Sequence, residues 1–341
     1  MSEFLFSYGL FFAKVVTGLI ALVFVMGIVS SGRKKEESSD LKVTNLNDKY
    51  AELKANVLQS LMSSKDYKQH VKAQAKDAKK AKKTAASDKP KAKLFVLDFE
   101  GDIRASEVET MRDEVTALLA VAEPQDQVLM KLDNSGGVVH EHGLAASQLK
   151  RITDANLKFT VSVDKVAASG GYMMACVADR IVAAPFAIVG SIGVLAQLPN
   201  FHRLLDKVGV DWEQHTAGEY KRTVTMFGEN GEKEREKLRL ELQETHELFR
   251  DFVSDNRPQL DIKAVSTGEH WYGKQALELN LVDELMTSDE FLVNALNEFD
   301  IYELSFEIKQ GLQDKLLSGL FSSLGRAKNS LAKVQNNAKF K

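Results

Sequence analysis

The chain has 341 residues, 44% of them hydrophobic and 27% charged, which is the balance of a globular protein with one large domain or two ordinary ones. The formal net charge of -3 points to neither a nucleic-acid-binding protein nor an enzyme for acidic substrates. The single cysteine, Cys176, excludes a disulfide-stapled secreted scaffold, and its place in an apolar run predicts a small buried side chain rather than a reactive thiol.

The first predicted element is a membrane anchor. Residues 4–29 form a nearly continuous apolar stretch, and the part from Phe6 to Val29 is long enough to cross a hydrocarbon core of about 30 Å as a helix. The alternative is a cleaved signal peptide, which needs a short apolar core and a small-residue cleavage site, and "GIVSSG" is a poor match to such a site. We therefore predict a retained transmembrane helix within residues 1–32, which contacts membrane lipids.

A lysine-rich, partly helical tether is predicted next, over residues 33–92. Apolar residues near helical spacing predict a short amphipathic helix at 48–62 within it. Two roles are open for the tether: attachment to anionic lipid head groups, or a solvated spacer. Because Arg33, Lys34 and Lys35 follow the anchor directly, the positive-inside rule places that side of the membrane in the cytoplasm.

Strand and helix patterns alternate from Lys93 onward, where we expect the folded domain to begin. Residues 93–101 and 127–133 are predicted as buried strands, and 106–122 as a helix that starts with a Ser-x-x-Glu capping box at Ser106. This alternation predicts an α/β domain with parallel strand pairing. The other predicted elements are a helix at 141–154, strands at 158–164, 180–184 and 187–194, and helices that begin at Ser169 or span 201–208 and 231–255.

Two Gly-Gly pairs each follow a predicted strand, in "LDNSGGVV" (132–139) and "AASGGYMM" (167–174). Glycine allows positive φ and close approach of a ligand to backbone N–H groups, so the two pairs are candidates for an oxyanion hole. Ordinary turns are the alternative. The small neighbours of Ser169 likewise fit either close packing of a helix or space for a substrate beside a reactive hydroxyl.

A serine nucleophile needs a base, and the sequence offers no telling histidine. None of the seven histidines stands in a catalytic motif, and no Cys/His cluster has metal-ligand spacing, so we predict no metal and no cofactor. Lys221, in the loop 216–228, is a candidate base if burial removes its charge. A solvated lysine is the alternative, and the pattern alone does not decide between them.

Three long motifs, in order along the chain, resemble the signal peptide peptidase A family of serine proteases. They are "VDKVAASGGYMMACVADRIVAAPFAIVGSIGV" (163–194), "HTAGEYKRT" (215–223) and "TGEHWYGKQALELNLVDEL" (267–285), and the likeness is greatest to a bacterial inner-membrane branch. The resemblance implies a ClpP/crotonase-like α/β domain of repeated β-β-α units, here residues 93–308, preceded by the transmembrane helix and the basic tether. It also implies peptide-bond hydrolysis by a Ser-Lys dyad through an acyl-enzyme.

The resemblance assigns a role to each matching position. Ser169 matches the nucleophile, Lys221 the general base, and Ser191 a serine that helps to hold the lysine amine. Backbone N–H groups for the oxyanion match Gly136, Gly137 and Gly170.

The sequence departs from the family pattern at two places. Asn134 and Ser135 stand where the family has Ser-Pro, which predicts a looser oxyanion loop because proline no longer fixes φ. Asn280 stands where the family favours glycine, and we expect the helix end to survive because asparagine tolerates positive φ. In the "EHWYG" stretch, His270 is expected to be structural rather than catalytic.

The resemblance also implies a ring-like homo-oligomer with the lysine near or across a subunit boundary. It places the peptidase domain on the periplasmic side of the inner membrane, against the indication from Arg33–Lys35, and we follow the resemblance. We expect a membrane-anchored endopeptidase acting on unfolded or membrane-released peptides, remnant signal peptides among them. A non-catalytic, peptide-binding membrane scaffold is the alternative, and an acyl-CoA enzyme is disfavoured. The tail, 309–341, is expected to be amphipathic or frayed.

Overall fold

The computed structural model describes residues 6–12, 14–18, 39–84 and 91–308. Contacts divide the chain into a unit Leu41–Ser305 and a second unit formed by its two ends. In the second unit, residues 6–12 and 14–18 are helical (together α1) and exposed. No helix within the described ranges has the length and apolar character needed to cross a membrane. Most of the predicted anchor and the whole predicted tail 309–341 lie outside those ranges.

Ten strands of the described residues form a single sheet in the order β1-β10-β2-β3-β4-β6-β9, with β5 beside β3 and β7, and β8 beside β7. The pairs from β10 through β2, β3, β4 and β6 to β9 are parallel, as are β3–β5 and β5–β7, whereas β7–β8 is antiparallel. The predicted α/β class with parallel pairing is confirmed. The strands are β1 (Ser39–Asn45), β2 (Lys93–Gly101), β3 (Gln127–Asn134), β4 (Lys158–Val163), β5 (Val166–Ala168), β6 (Arg180–Ala183), β7 (Ile188–Gly190), β8 (His270–Tyr272), β9 (Glu284–Leu285) and β10 (Asp300–Ile308).

Helices connect most of these strands. They are α2 (Leu46–Leu61), α3 (Ser64–Thr84), α4 (Val108–Val121), α5 (Val139–Asp154), α6 (Gly170–Ala175), α7 (His202–Lys207), α8 (Glu232–Asn256), α9 (Ile262–Val265), α10 (Gly273–Glu278) and α11 (Ser288–Ala295). For the elements that were predicted, most bounds lie within a few residues of the predicted ones. The exception is β7, which is three residues long where a longer strand was predicted at 187–194.

Both faces of the sheet are covered, as a parallel sheet requires. Side chains alternate between faces along a strand, so Phe95 and Leu97 of β2 join a large core cluster while Leu94 and Val96 join a smaller one. The larger cluster includes the buried hydrophobic residues of α4, α5 and α6. The smaller cluster is completed by residues such as Leu46 and Leu292.

The segment before Lys93 contributes to the folded unit. Leu46 at the start of α2 lies in the smaller core cluster, with 3% of its surface exposed. The Asn47 side chain donates to Phe299 O at 3.1 Å and accepts the Ile301 N–H at 2.6 Å. The unit therefore reaches back to Leu41 and includes most of β1 and all of α2, which the sequence analysis placed in the tether.

The predicted capping box at the start of α4 is wrong. The helix begins at Val108, its N-cap is Glu107, and no side chain caps it. The Ser106 hydroxyl instead donates to Asp102 Oδ2 at 2.9 Å, and its N–H donates to Asp102 Oδ1 at 3.0 Å. Because Asp102 takes both groups in the preceding turn, Ser106 is not available to the helix.

Candidate active site

Three adjacent parallel strands end at predicted site residues. β3 pairs with β5 through Asn134 and Ala167, and β5 pairs in turn with β7. The residues that follow the three strand ends are the pair 136–137, Ser169 and Ser191. The fold therefore brings these three predicted segments together at the carboxyl ends of neighbouring strands, where parallel sheets commonly place their ligands.

Ser169 lies on a strained turn between β5 and α6. Its φ of 52° and ψ of -118° are values that residues with a side chain rarely adopt. Its N–H donates to Gly190 O at 2.8 Å, which fixes the turn against the end of β7. The residue is half-buried and its side chain does not cap α6. Strain of this kind concentrates at functional sites, and a serine in a sharp strand-to-helix turn is a feature of hydrolase nucleophiles.

The first glycine pair lies directly against Ser169. Gly136 has a φ of 86°, and a Cβ added to it would lie 2.7 Å from Ser169 Cβ and from the Gly170 nitrogen. A Cβ added to Gly137 would lie 2.7 Å from the carbonyl carbon of Ile103. Side chains are therefore excluded from both positions, because the backbone of this loop approaches its neighbours too closely.

The N–H groups of these glycines are not equivalent. Gly136 donates to Asn134 Oδ1 at 2.6 Å, so its N–H is already engaged. The N–H groups of Gly137 and Gly170 have no acceptor among the described residues. One unengaged backbone donor thus follows Gly136, which lies against Ser169, and the other belongs to the residue directly after Ser169.

Sequence reasoning did not predict that the polar side chains of Asn134 and His142 are buried together in this region. Both have 0% of their surface exposed. The bond from Gly136 closes a turn on the Asn134 side chain, which supplies a restraint where the sequence predicted a looser loop. The only available signal was that these two polar residues flank the glycine pair, because their contact depends on how α5 follows β3.

Ser191 begins its segment in a second unusual turn. It has a φ of 53°, and its N–H donates to Glu269 O at 2.7 Å. A Cβ added at Gly190 would lie 2.7 Å from the Trp271 ring, so β8 packs closely behind this turn. His270 is exposed and pairs with Gly190 in the sheet. The "EHWYG" stretch therefore packs behind the candidate site.

Lys221 lies in a mostly exposed segment between β7 and α8, and its own side chain is exposed. The residues before it are held by α8: Lys233 Nζ lies 2.7 Å from Glu219 Oε1 and 5.7 Å from the centre of the Tyr220 ring. Among the described residues, no hydrogen bond joins Lys221 Nζ, Ser169 Oγ and Ser191 Oγ to one another. The predicted nucleophile, base and supporting serine are therefore all present in one chain, but their side chains are not hydrogen-bonded to one another.

Other reactive groups near the site are inert. Cys176 is fully buried, burial raises the pKa of its thiol to about 12, and Sγ donates to Met173 O at 3.2 Å. The prediction of a small buried side chain is confirmed. Burial likewise raises the pKa of the Tyr172 hydroxyl, which donates to Leu281 O at 3.0 Å. In the part of the chain that the structure describes, no group of three or more acidic, histidine or cysteine side chains is arranged to hold a metal ion.

Comparison with known proteins gives a consistent result over most of the chain. The profile of Peptidase family S49 N-terminal matches residues 3–149, and that of Peptidase family S49 matches residues 151–301. "Probable protease SohB" of Haemophilus influenzae is 47% identical over 326 residues, which cover 92% of each chain. The protein of the same name from Buchnera aphidicola subsp. Acyrthosiphon pisum is 46% identical over 322 residues, covering 94% of this chain and 95% of the relative.

A solved structure is also similar at a lower level. A mutant of the 1510-N membrane-bound stomatin-specific protease, in complex with a substrate peptide, is 13% identical with a TM-score of 0.42. The similarity covers 68% of this chain and 99% of that one.

Proposed function

This chain belongs to peptidase family S49 and is a protease, and we propose that it is a serine endopeptidase that uses Ser169 as nucleophile and Lys221 as general base. The observation that carries the proposal is the strained turn at Ser169, which lies beside the unengaged N–H groups of Gly137 and Gly170. A nucleophile next to two backbone donors is the arrangement that acyl transfer requires.

The proposed reaction has two halves. Ser169 Oγ attacks the carbonyl carbon of the peptide while its proton passes to the neutral amine of Lys221, and the oxyanion accepts hydrogen bonds from Gly137 and Gly170. The C–N bond then breaks as Lys221 returns the proton to the leaving amine, which leaves an acyl-enzyme. Water, deprotonated by the same amine, hydrolyses the ester and restores the Ser169 hydroxyl.

The glycines have separate roles in this proposal. We assign the oxyanion to Gly137 and Gly170, because the N–H of Gly136 already donates to Asn134 Oδ1. Gly136 is required for its positive φ and its close approach to Ser169. Ser191, which follows the strand next to Ser169, is proposed to hold the Lys221 amine.

A second copy of the chain is part of the proposal. A lysine acts as a base only when its amine is uncharged, which requires removal from water, and Lys221 is exposed in one chain. The segment that carries it also exposes large apolar side chains, among them Leu195 at 75%, Val208 at 62% and Trp212 at 49%. We infer that a neighbouring subunit covers this segment in a ring-like homo-oligomer, and that Lys221 acts near or across that boundary.

The membrane setting and the substrate class are proposed from the sequence. The apolar stretch 4–29 is proposed as a single-pass anchor in a bacterial inner membrane, with the peptidase domain on the periplasmic side. Substrates are proposed to be unfolded or membrane-released peptides, including remnant signal peptides. No cofactor is required by this mechanism.

One observation favours a second candidate, a non-catalytic scaffold that binds peptides or partner subunits. It is the exposure of Lys221, which makes no hydrogen bond to Ser169 within the described chain. Both candidates fit the same fold, so activity measurements must separate them.

The test is turnover of a fluorogenic peptide by the detergent-solubilised full chain, together with covalent labelling by a fluorophosphonate. We expect Ser169→Ala to abolish both signals and Lys221→Ala to reduce turnover by at least about a thousandfold, since a base contributes about 10²–10⁴-fold and also activates the nucleophile. Ser147→Ala is the matched control, because Ser147 is an exposed serine on α5 whose hydroxyl donates to Gly143 O. Equal turnover in the wild type, Ser169→Ala and Lys221→Ala would support the scaffold instead.

A further inference from the structure

A histidine is buried behind the two candidate oxyanion segments. His142 lies near the start of α5, with 0% of its surface exposed. Its Nδ1 lies 2.9 Å from Val138 O, and its Nε2 lies 3.1 Å from Asn134 Oδ1. The imidazole therefore spans the loop that carries Gly136 and Gly137, with one ring nitrogen at an oxygen at each end of that loop.

The Asn134 amide has one favourable orientation, and His142 contacts its oxygen. Asn134 Oδ1 accepts the N–H of Gly136 at 2.6 Å, so a reversed amide would place an NH₂ group against that N–H. Among the described residues, the buried Nδ2 of Asn134 has no partner, which folded proteins usually avoid. The contacts of the amide oxygen with Gly136 and His142 therefore fix the orientation of the Asn134 side chain.

The same ring fills the space behind the residue that follows Ser169. A Cβ added at Gly170 would lie 2.6 Å from His142 Cδ2, which is closer than real Cβ atoms approach. One side chain therefore contacts both segments that carry the proposed oxyanion donors.

Two simpler roles fit His142 less well. It is not placed to act as the general base, because it is fully buried and each ring nitrogen already faces an oxygen other than that of Ser169. Packing alone does not require an imidazole. The other buried residues of α5 are Ala145, Ala146, Leu149 and Ile152, and an apolar side chain avoids the cost of burying two polar nitrogens.

We propose that His142 is a positioning residue of the catalytic centre, an inference that rests on the proposed function above. Its ring N–H donates to one of the two oxygens, its other ring nitrogen lies at the second, and the ring supports Gly170 from behind, so that the N–H groups of Gly137 and Gly170 converge on one oxyanion. Donors of this kind act on the charge that develops in the transition state. Loosening the ring contacts therefore lowers kcat more than it changes KM.

The experiment compares three variants of the solubilised full chain. His142→Phe and His142→Met fill the space without hydrogen bonds, whereas His142→Gln retains an amide that donates to Asn134 Oδ1. With kcat counted per fluorophosphonate-titrated site, we expect about a hundredfold loss for Phe and Met with little change in KM, as small misplacements in an active site produce. We expect Gln to recover part of that loss.

The control is Leu149→Ala, a fully buried residue of the same helix that lies farther along the chain from the glycine loop. We expect Leu149→Ala to lower the stability of the protein. Its kcat per titrated site should remain close to that of the wild type, and so should its affinity for a peptide boronate, which forms a tetrahedral adduct with the serine. The boronate is expected to bind more weakly to His142→Phe. If the Phe variant does not fold, the same comparison is made with His142→Met.

The outcomes separate this inference from the proposed function. If the His142 variants lose no more kcat and boronate affinity than Leu149→Ala, His142 is only a packing residue and the inference is overturned. If instead the wild type and Ser169→Ala turn over peptide equally, the proposed function itself fails.

Discussion

At the scale of single residues, two helical glycines close to each other in the fold are present for different reasons. Gly143, next to His142 in α5, has open space where a Cβ would be. Gly170, at the start of α6, has the His142 ring there. The same substitution therefore has opposite consequences at these two positions.

We expect Gly143→Ala to stabilise the protein by about 0.5–1 kcal/mol, because glycine is the poorer helix former. Gly170→Ala is expected to destabilise it by about 1–3 kcal/mol through overpacking, and to reduce peptidase activity. Denaturant unfolding of the two variants measures the difference. Similar stabilities for the two variants would mean that the contact between Gly170 and His142 is not tight.

The thiol of Cys176 is expected to be unreactive in the native protein. Because burial raises its pKa to about 12, the thiol is protonated at pH 8 and is also shielded from reagents. In the unfolded chain its pKa returns to about 8.5 and the thiolate becomes available. A disulfide reagent such as DTNB should react with one thiol per chain only after denaturant is added, and rapid reaction in native buffer would contradict the burial.

Sequence patterns predicted features that depend on neighbouring residues, but not contacts between side chains on different elements. Gly136, Gly137 and Ser169 became candidates because small residues after a strand form a local pattern, and Asn280, where a positive φ was expected to be tolerated, has a φ of 59°. Local patterns contain no information on which side chain fills the space behind another loop. His142 was missed for that reason.

At the scale of elements, an ion pair between a buried arginine and an exposed aspartate joins the end of α8 to the sheet. Arg257, the C-cap of α8, has 2% of its surface exposed and makes two bonds to Asp283, at 2.9 Å and 2.7 Å. It also donates to Asn280 O at 3.2 Å, and Asp283 Oδ2 accepts the Ile181 N–H at 2.6 Å. One arginine thus links α8, the end of α10 and β6.

We expect Arg257→Met to lower the free energy of unfolding by about 1–3 kcal/mol, because it removes the charge-assisted hydrogen bonds of a buried guanidinium while the exposed Asp283 carboxylate stays hydrated. Arg235→Met is the matched control on the same helix. Arg235 pairs with Glu232 at 3.8 Å with 53% of its side chain exposed, so we expect a loss of about 0–1 kcal/mol. Thermal or chemical unfolding distinguishes the two variants. Equal losses of unfolding free energy would show that the Arg257–Asp283 pair contributes no more than an exposed pair.

Elements with a clear hydrophobic pattern were predicted well, whereas strands at the edges of the sheet were not. β2 was predicted with its observed bounds because five of its nine residues are hydrophobic and it lies inside the sheet. β1 has the sequence SDLKVTN and lies at the end of the strand order, where polar side chains are tolerated. Its composition is therefore close to that of the lysine-rich segment that follows, and sequence alone did not separate them.

At the scale of the whole molecule, the proposed site has a nucleophile fixed by the sheet and a base on an exposed segment. Ser169 is bonded to the end of β7, whereas the segment with Lys221 exposes its apolar side chains. The comparisons identify the family and the protease class. The proposed site is completed by a neighbouring subunit, which neither the sequence nor the structure of a single chain contains.

Co-expression of two inactive subunits tests whether the dyad crosses a subunit boundary. If Lys221 acts on Ser169 of a neighbour, mixing Ser169→Ala with Lys221→Ala chains should restore about a quarter of the wild-type sites, because random assembly pairs the two intact groups at that frequency. Ser169→Ala mixed with the chain that carries both substitutions is the control and should remain inactive. No recovery in the first mixture would place the dyad within one chain.

The exposure of the Lys221 segment has a consequence for the life of the protease in the cell. On the proposed mechanism, a newly made chain carries its nucleophile without a working base, so it cannot digest other proteins while it is alone. Its activity would then begin at the local concentration at which subunits meet, and no inhibitory pro-segment would have to be cut away.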